Sequence, residues 1–142
     1  MKIGELASLL NCKTETIRYY EKEGLLPKPE RNASNYRHYG EAHVKRLRFI
    51  RNCRSLDMTH DEIRTLLMVQ DVSNGNCACF SQVIEEHLGH VDARIQELLH
   101  LKEQLIDLRK QCETAQAVEN CGIFRQLSTM ESTEPPTRHS HL

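Results

Sequence analysis

Three cysteines, Cys77, Cys112 and Cys121, have the residue type and the spacing to hold a soft metal ion. Thiolates select soft or borderline cations, and no carboxylate cluster accompanies them that would suit Mg²⁺ or Ca²⁺. Cys77 and Cys112 lie 35 residues apart, at the two ends of one long predicted helix. At about 1.5 Å of rise per residue, that helix would hold them roughly 50 Å apart. A bound ion needs each ligand within about 2.3–2.6 Å. If these cysteines share an ion, a second copy of the chain, running antiparallel, must supply one of them. The spacing therefore suggests a metal and a homodimer together. Cys112 and Cys121 enclose eight residues, enough to loop around an ion.

The elements that must position these thiols are predicted to be helical. Ile3, Leu6, Leu9 and Leu10 recur at helical spacing, which gives a short helix over about 4–10. Asn11, Cys12 and Lys13 make a turn, and Thr14 is a good N-cap for a second helix to about Glu23. Gly24 closes that helix at a left-handed position. Two short helices joined by a tight turn form a helix-turn-helix. Pro27 and Pro29 then forbid helix, and 32–35 have turn chemistry. Residues 36–39 read as a short strand, the edge of a small wing. A helix follows over 41–53, and Thr59-His60-Asp61-Glu62 is a capping box that opens another through Val69. Residues 71–79 are expected to link to a helix over 80–111 with a heptad-like seam. Ile84, Val91, Leu98, Leu105 and Cys112 hold one seam position; Leu88 and Ile95 hold the other. A helix this long cannot fold back on itself and needs a partner. A loop over 112–128 would carry metal, and 129–142, with Pro135 and Pro136, should be disordered.

Charge separates the two halves. Residues 1–56 carry 12 Lys and Arg against 6 Asp and Glu, a net of +6; residues 57–142 carry 7 against 14, a net of −7, and the sum is the chain's −1. A basic first third on a neutral chain is the footprint of a nucleic-acid-binding module. No run of 18 apolar residues exists to span a membrane, and no signal-peptide pattern opens the chain, so a cytoplasmic protein is expected. Six cysteines in that compartment are thiols for metal or redox chemistry rather than a disulfide framework. No motif pairs a nucleophile with a base, so an enzyme is not expected.

The run Ile3-Gly4-Glu5-Leu6-Ala7, then Thr16-Ile17-Arg18-Tyr19-Tyr20-Glu21, Gly24-Leu25-Leu26-Pro27, Tyr36-Arg37 and Tyr39 resembles the DNA-binding domain of the MerR family of transcriptional regulators. Ile50-Arg51, Cys53-Arg54 and Leu56-Asp57-Met58-Thr59 continue the likeness over roughly residues 1–70. The long helix and the terminal cysteine loop are similar to the metal-responsive branch, above all its cadmium- and lead-responsive members. The fold so implied is mainly α: a winged helix-turn-helix domain (1–70), a long antiparallel coiled-coil dimerisation helix and a C-terminal metal-binding loop. The resemblance implies a homodimer on a promoter whose spacer is over-long. There it works with RNA polymerase, and metal makes it kink and untwist the DNA. It implies phosphate contacts by Arg18, Tyr36, Arg37 and Tyr39, which position without reading sequence. Thr16 and Lys13 would lie near base edges, Tyr19 on the outer face of the recognition helix, and Arg54 on a second wing.

It further implies that Cys77 comes from the partner chain, and a cysteine there favours a divalent ion: Cd(II) or Pb(II), with Zn(II) or Hg(II) also admissible. Cys79 departs from the family; it could add a fourth thiolate or point away. Cys12 and Cys53 read as structural. His87 and His90, three apart on a helix, could meet one ion with Glu62 and the tail residues His139 and His141, or could simply face solvent. Two alternatives stay open: a thiol-redox-sensing regulator, and a metal-sequestering protein with no DNA role.

Overall fold

The computed structural model describes residues 1–72, 76–112, 114–115 and 117–132. It divides into two units, Met1–Gly89 and His90–Leu142. In the first, α1 (Ile3–Leu9) and α2 (Thr14–Lys22) form the helix-turn-helix. Lys13, not Thr14, is the N-cap of α2, and Thr14 is already helical. Asn11 takes the left-handed conformation in the turn (φ 50°), and the Arg51 guanidinium donates to its carbonyl at 3.1 Å. Gly24 ends α2 at φ 76°, a conformation that costs glycine nothing.

The wing is a two-stranded antiparallel hairpin, β1 (Glu30–Arg31) and β2 (Arg37–His38), with Glu30 opposite His38 and Arg31 opposite Arg37. Asn32 organises its turn: Oδ1 accepts from the backbone of Ser34 and Tyr36, each at 3.0 Å. Next come α3 (Glu41–Ser55) and α4 (His60–Asp71). The expected capping box is present, Glu62 N–H donating to Thr59 Oγ1 at 3.1 Å and Thr59 N–H to Glu62 Oε1 at 2.9 Å. Leu6, Ile17, Leu25, Leu26, Tyr39, Leu47, Ile50, Met58 and Ile63 are fully buried together. Val83 and Phe80, near the start of α5, pack against the same core.

Helix α5 spans Cys77–Arg109, starting three residues before the expected 80 and ending two before 111. Asn76 explains the early start, because its Oδ1 accepts from Ala78 N–H at 2.9 Å as an N-cap. In the second unit a 3₁₀ turn (Val118–Asn120) precedes α6 (Gly122–Thr129). No helix among the described residues is long and apolar enough to cross a membrane.

Candidate DNA and metal sites

The recognition helix presents the side chains that its periodicity assigns. Ile17 and Tyr20 are buried, Arg18 and Tyr19 are exposed, and Thr16 is half-buried at the edge with Lys13 exposed just before the helix. The Tyr19 ring lies 5.5 Å from that of His60, at the start of α4, and its hydroxyl approaches His60 Nδ1 at 3.4 Å. On the wing Tyr36 and Arg37 are exposed. Tyr39 differs from its expected phosphate contact. It is fully buried, and its hydroxyl donates to Glu21 Oε1 at 2.6 Å. Its backbone is tied twice to Met1, at 2.8 and 2.7 Å. Tyr39 therefore anchors the wing from beneath. Arg54 is half-buried and donates to the Met58 carbonyl at 2.5 Å, which fixes the corner before α4.

Between α2 and the wing lies a cleft of about 640 Å³ lined by Arg18, Lys22, Lys28, Arg31, Arg37 and Glu21. Of these the sequence singles out only Arg18 and Arg37. Lys28 and Arg31 escape notice there because nothing announces β1. Glu21 does carry a sequence signal: it lies four residues after Ile17 and beside Tyr20, on the core-facing stripe.

The thiols occupy helix ends. Cys77 is the first residue of α5 and Cys79 lies in its first turn, both exposed. Cys112 follows α5 and Cys121 is the N-cap of α6. Cys112 Sγ donates to the Thr114 carbonyl at 3.2 Å and lies beside Cys121. The neighbouring Cys121 sulfur, first of all, pushes the Cys112 thiol up. Cys121 is held below the usual thiol range, chiefly by the Phe124 N–H and then by the Cys112 thiol, which outweigh desolvation. Two cysteine sulfurs side by side at a helix start suit a soft cation, which binds as their protons leave. A Cβ on Gly122 would stand 2.4 Å from the Gln111 carbonyl oxygen, so this closure of the loop admits only glycine. Cys53 is buried and Cys12 half-buried at the core edge, and burial pushes both thiols up.

Among known families, the MerR HTH family regulatory protein model matches residues 1–69 and the MerR DNA-binding model residues 44–108. A curated relative, the HTH-type transcriptional regulator ZntR homolog of Haemophilus influenzae, is 47% identical over 110 residues, spanning 78% of this chain and 82% of that one. The chain belongs to the MerR family of helix-turn-helix transcriptional regulators. The mercuric resistance operon regulatory protein of Bacillus cereus is 35% identical over 126 residues, 89% of this chain and 96% of that one. Among solved structures, that of the transcription regulator PbrR691 from Ralstonia metallidurans CH34 in complex with lead(II) is 43% identical, with a TM-score of 0.80, covering 89% of this chain and 98% of that one. This MerR-family chain is thus a transcription regulator and not an enzyme.

The regulator carries a second group of donors. Glu62 on α4 and His87 on α5 present ligand atoms within 4.8 Å of one another, and His90, the first residue of the second unit, is exposed. His87 Nε2 bonds the Leu56 carbonyl at 2.8 Å, so it must be the donor there. His87 Nδ1 faces Glu62 Oε2 at 2.9 Å. A ring whose far nitrogen is pinned by a carbonyl is the usual arrangement behind a metal-binding histidine. His139 and His141 lie outside the described residues.

Proposed function

We propose that this regulator is a metal-responsive transcriptional activator that works in the cytoplasm as a homodimer on promoter DNA. It induces metal-resistance genes in answer to Cd(II) or Pb(II), with Zn(II) or Hg(II) also within its ligand chemistry. The observation that carries this reading is the Cys112–Cys121 pair, poised beside the start of α6 in a chain whose recognition helix and wing present a basic cleft. In this reading Cys112, Cys121 and the partner subunit's Cys77 hold the ion, with Cys79 near enough in sequence to add a fourth thiolate. The bound ion supplies the charge that lets three thiolates meet. Ile84, Leu88, Val91, Ile95, Leu101 and Leu105, exposed along α5, are apolar surface that a second α5 would cover. In this reading Glu62 and His87 are donors of a weaker second site, for which His90 and the tail histidines 139 and 141 are further candidates by sequence.

On the DNA side Arg18, Tyr36 and Arg37 hold phosphates, Lys13 and Thr16 approach base edges, and Tyr19 and Arg54 support that face. Thiolates drawn together across the dimer favour the arrangement in which an over-long promoter spacer is kinked and untwisted. RNA polymerase then engages both promoter elements. Metal can act in this way only by binding one of two dimer–DNA arrangements better.

The decisive experiment mixes a Cys77→Ser chain with a Cys112→Ser chain. Neither homodimer should bind metal tightly, and the mixture should recover one site per heterodimer, read by thiolate-to-metal charge-transfer absorbance. No recovery would mean that each chain coordinates alone, and the reading would fall.

A further inference from the structure

The cleft between α2 and the wing holds five cationic side chains, Arg18, Lys22, Lys28, Arg31 and Arg37, and one acid, Glu21. An acid among groups meant for phosphate is costly: it repels the ligand and neutralises part of the attraction. Yet Glu21 is built in. Its side chain is only 9% exposed, while that of Arg37 is 47% exposed. One oxygen accepts the Tyr39 hydroxyl at 2.6 Å, and the other lies 3.6 Å from Arg37 Nη1. Tyr39 cannot yield, because its ring is fully buried and its backbone is bonded twice to Met1. The carboxylate is therefore fixed from below by the wing strand and from behind by its own helix. It faces a guanidinium that sits two residues before Tyr39 on a two-stranded hairpin open to solvent.

We propose that Glu21 is a positioning residue for DNA binding: it braces the wing against the recognition helix and aims Arg37, so that the cleft, completed by Lys22, Lys28 and Arg31, forms a seat for backbone phosphates. The proposal rests on the DNA-binding reading above and adds residues to it. The physical gain is pre-organisation. A long side chain held in place before the ligand arrives loses less freedom on binding, and a guanidinium keeps spare N–H groups for phosphate while one faces Glu21.

The test uses the full-length metal-free protein and a DNA duplex that the wild type has selected from a random-sequence pool. Affinity is measured against salt concentration. Arg37→Gln and Lys28→Gln should each flatten the salt slope by about 0.9 for every phosphate no longer neutralised. An unchanged slope in both would show that the cleft holds no phosphate, and the seat itself would fail. Glu21→Gln keeps an acceptor for Tyr39 but removes the charge facing Arg37. It should weaken binding by roughly five- to tenfold, although it makes the protein more positive. In an Arg37→Gln background the same change should have no further effect. Tighter or unchanged binding in Glu21→Gln, or penalties that simply add in the double variant, would overturn the positioning role even if the slopes confirm the seat. Tyr39→Phe, which frees Glu21 without altering its charge, should weaken binding in the same way but by less; wild-type affinity there would count against the brace.

Discussion

The amino-terminal unit owns its core, and the described part of the carboxy-terminal unit has none. Up to Gly89 a set of fully buried side chains joins α1, α2, the wing, α3 and α4. Among the described residues from His90 onward not one is buried. Leu99, Leu101 and Leu105 are about half exposed, as are Phe124 and Leu127 of α6. An apolar stripe left in water is unfinished structure. The amino-terminal unit can therefore fold from its own sequence, whereas the described carboxy-terminal unit leaves apolar surface that the proposed partner chain would cover.

The sharpest way to break this contrast is to truncate one leucine in each half. Leu47→Ala empties a fully buried site and should cost the amino-terminal unit about 2–5 kcal/mol in denaturant unfolding. Leu99→Ala, about half exposed within its own chain, should leave that unit's unfolding unchanged and instead raise the dimer dissociation constant, read by sedimentation at several concentrations. Equal effects of the two on unfolding of the amino-terminal unit would abolish the distinction.

A second probe separates the halves by pH. Burial first, and then the hydrogen bond to Glu21 and its charge, push the Tyr39 phenol up to about 12. In the unfolded chain it ionises near 10. The folded unit thus holds this proton more tightly, and the stabilisation is whole below about pH 10 and disappears as pH climbs toward 12. The change amounts to about 2–3 kcal/mol. Tyr39→Phe should flatten that part of the alkaline stability curve of the amino-terminal unit. A Phe variant that follows the wild-type curve would show that another group sets it.

The smallest effect belongs to the loop. Gly122→Ala should part the Cys112–Cys121 pair and weaken metal binding by about tenfold, equal to about 1.4 kcal/mol. Operator affinity of the metal-free protein should stay unchanged. Competition with a chromophoric chelator reads the first quantity and a gel shift the second. Unaltered metal affinity would show that the loop finds another closure.

Much of the amino-terminal fold is legible in the sequence because its signals are local. The stripe of Ile17 and Tyr20, the glycine after α2, and Thr59 with Glu62 each act within a few residues, and each stands where its chemistry demands. What escapes depends on pairing across the chain. β1 is two residues long and takes its register from β2, so Lys28 and Arg31 give no sign of facing Arg18. Tyr39 looks like a surface aromatic until its hydroxyl meets a carboxylate 18 residues away. In the second half the length of α5 can be read from its heptad-like spacing. The close passage of Gly122 by Gln111 cannot, because it joins residues on opposite sides of the loop.

Glu62 divides its two oxygens between different neighbours, one to the backbone that begins α4 and the other toward His87. Any cation arriving there finds a one-toothed ligand. A large ion that prefers to be clasped by both oxygens must first release Thr59 N–H and fray the opening turn of α4, at a cost of about 1 kcal/mol. At the proposed second site, ions content with single-point attachment would escape that toll, so the start of one helix would discriminate among cations by denticity.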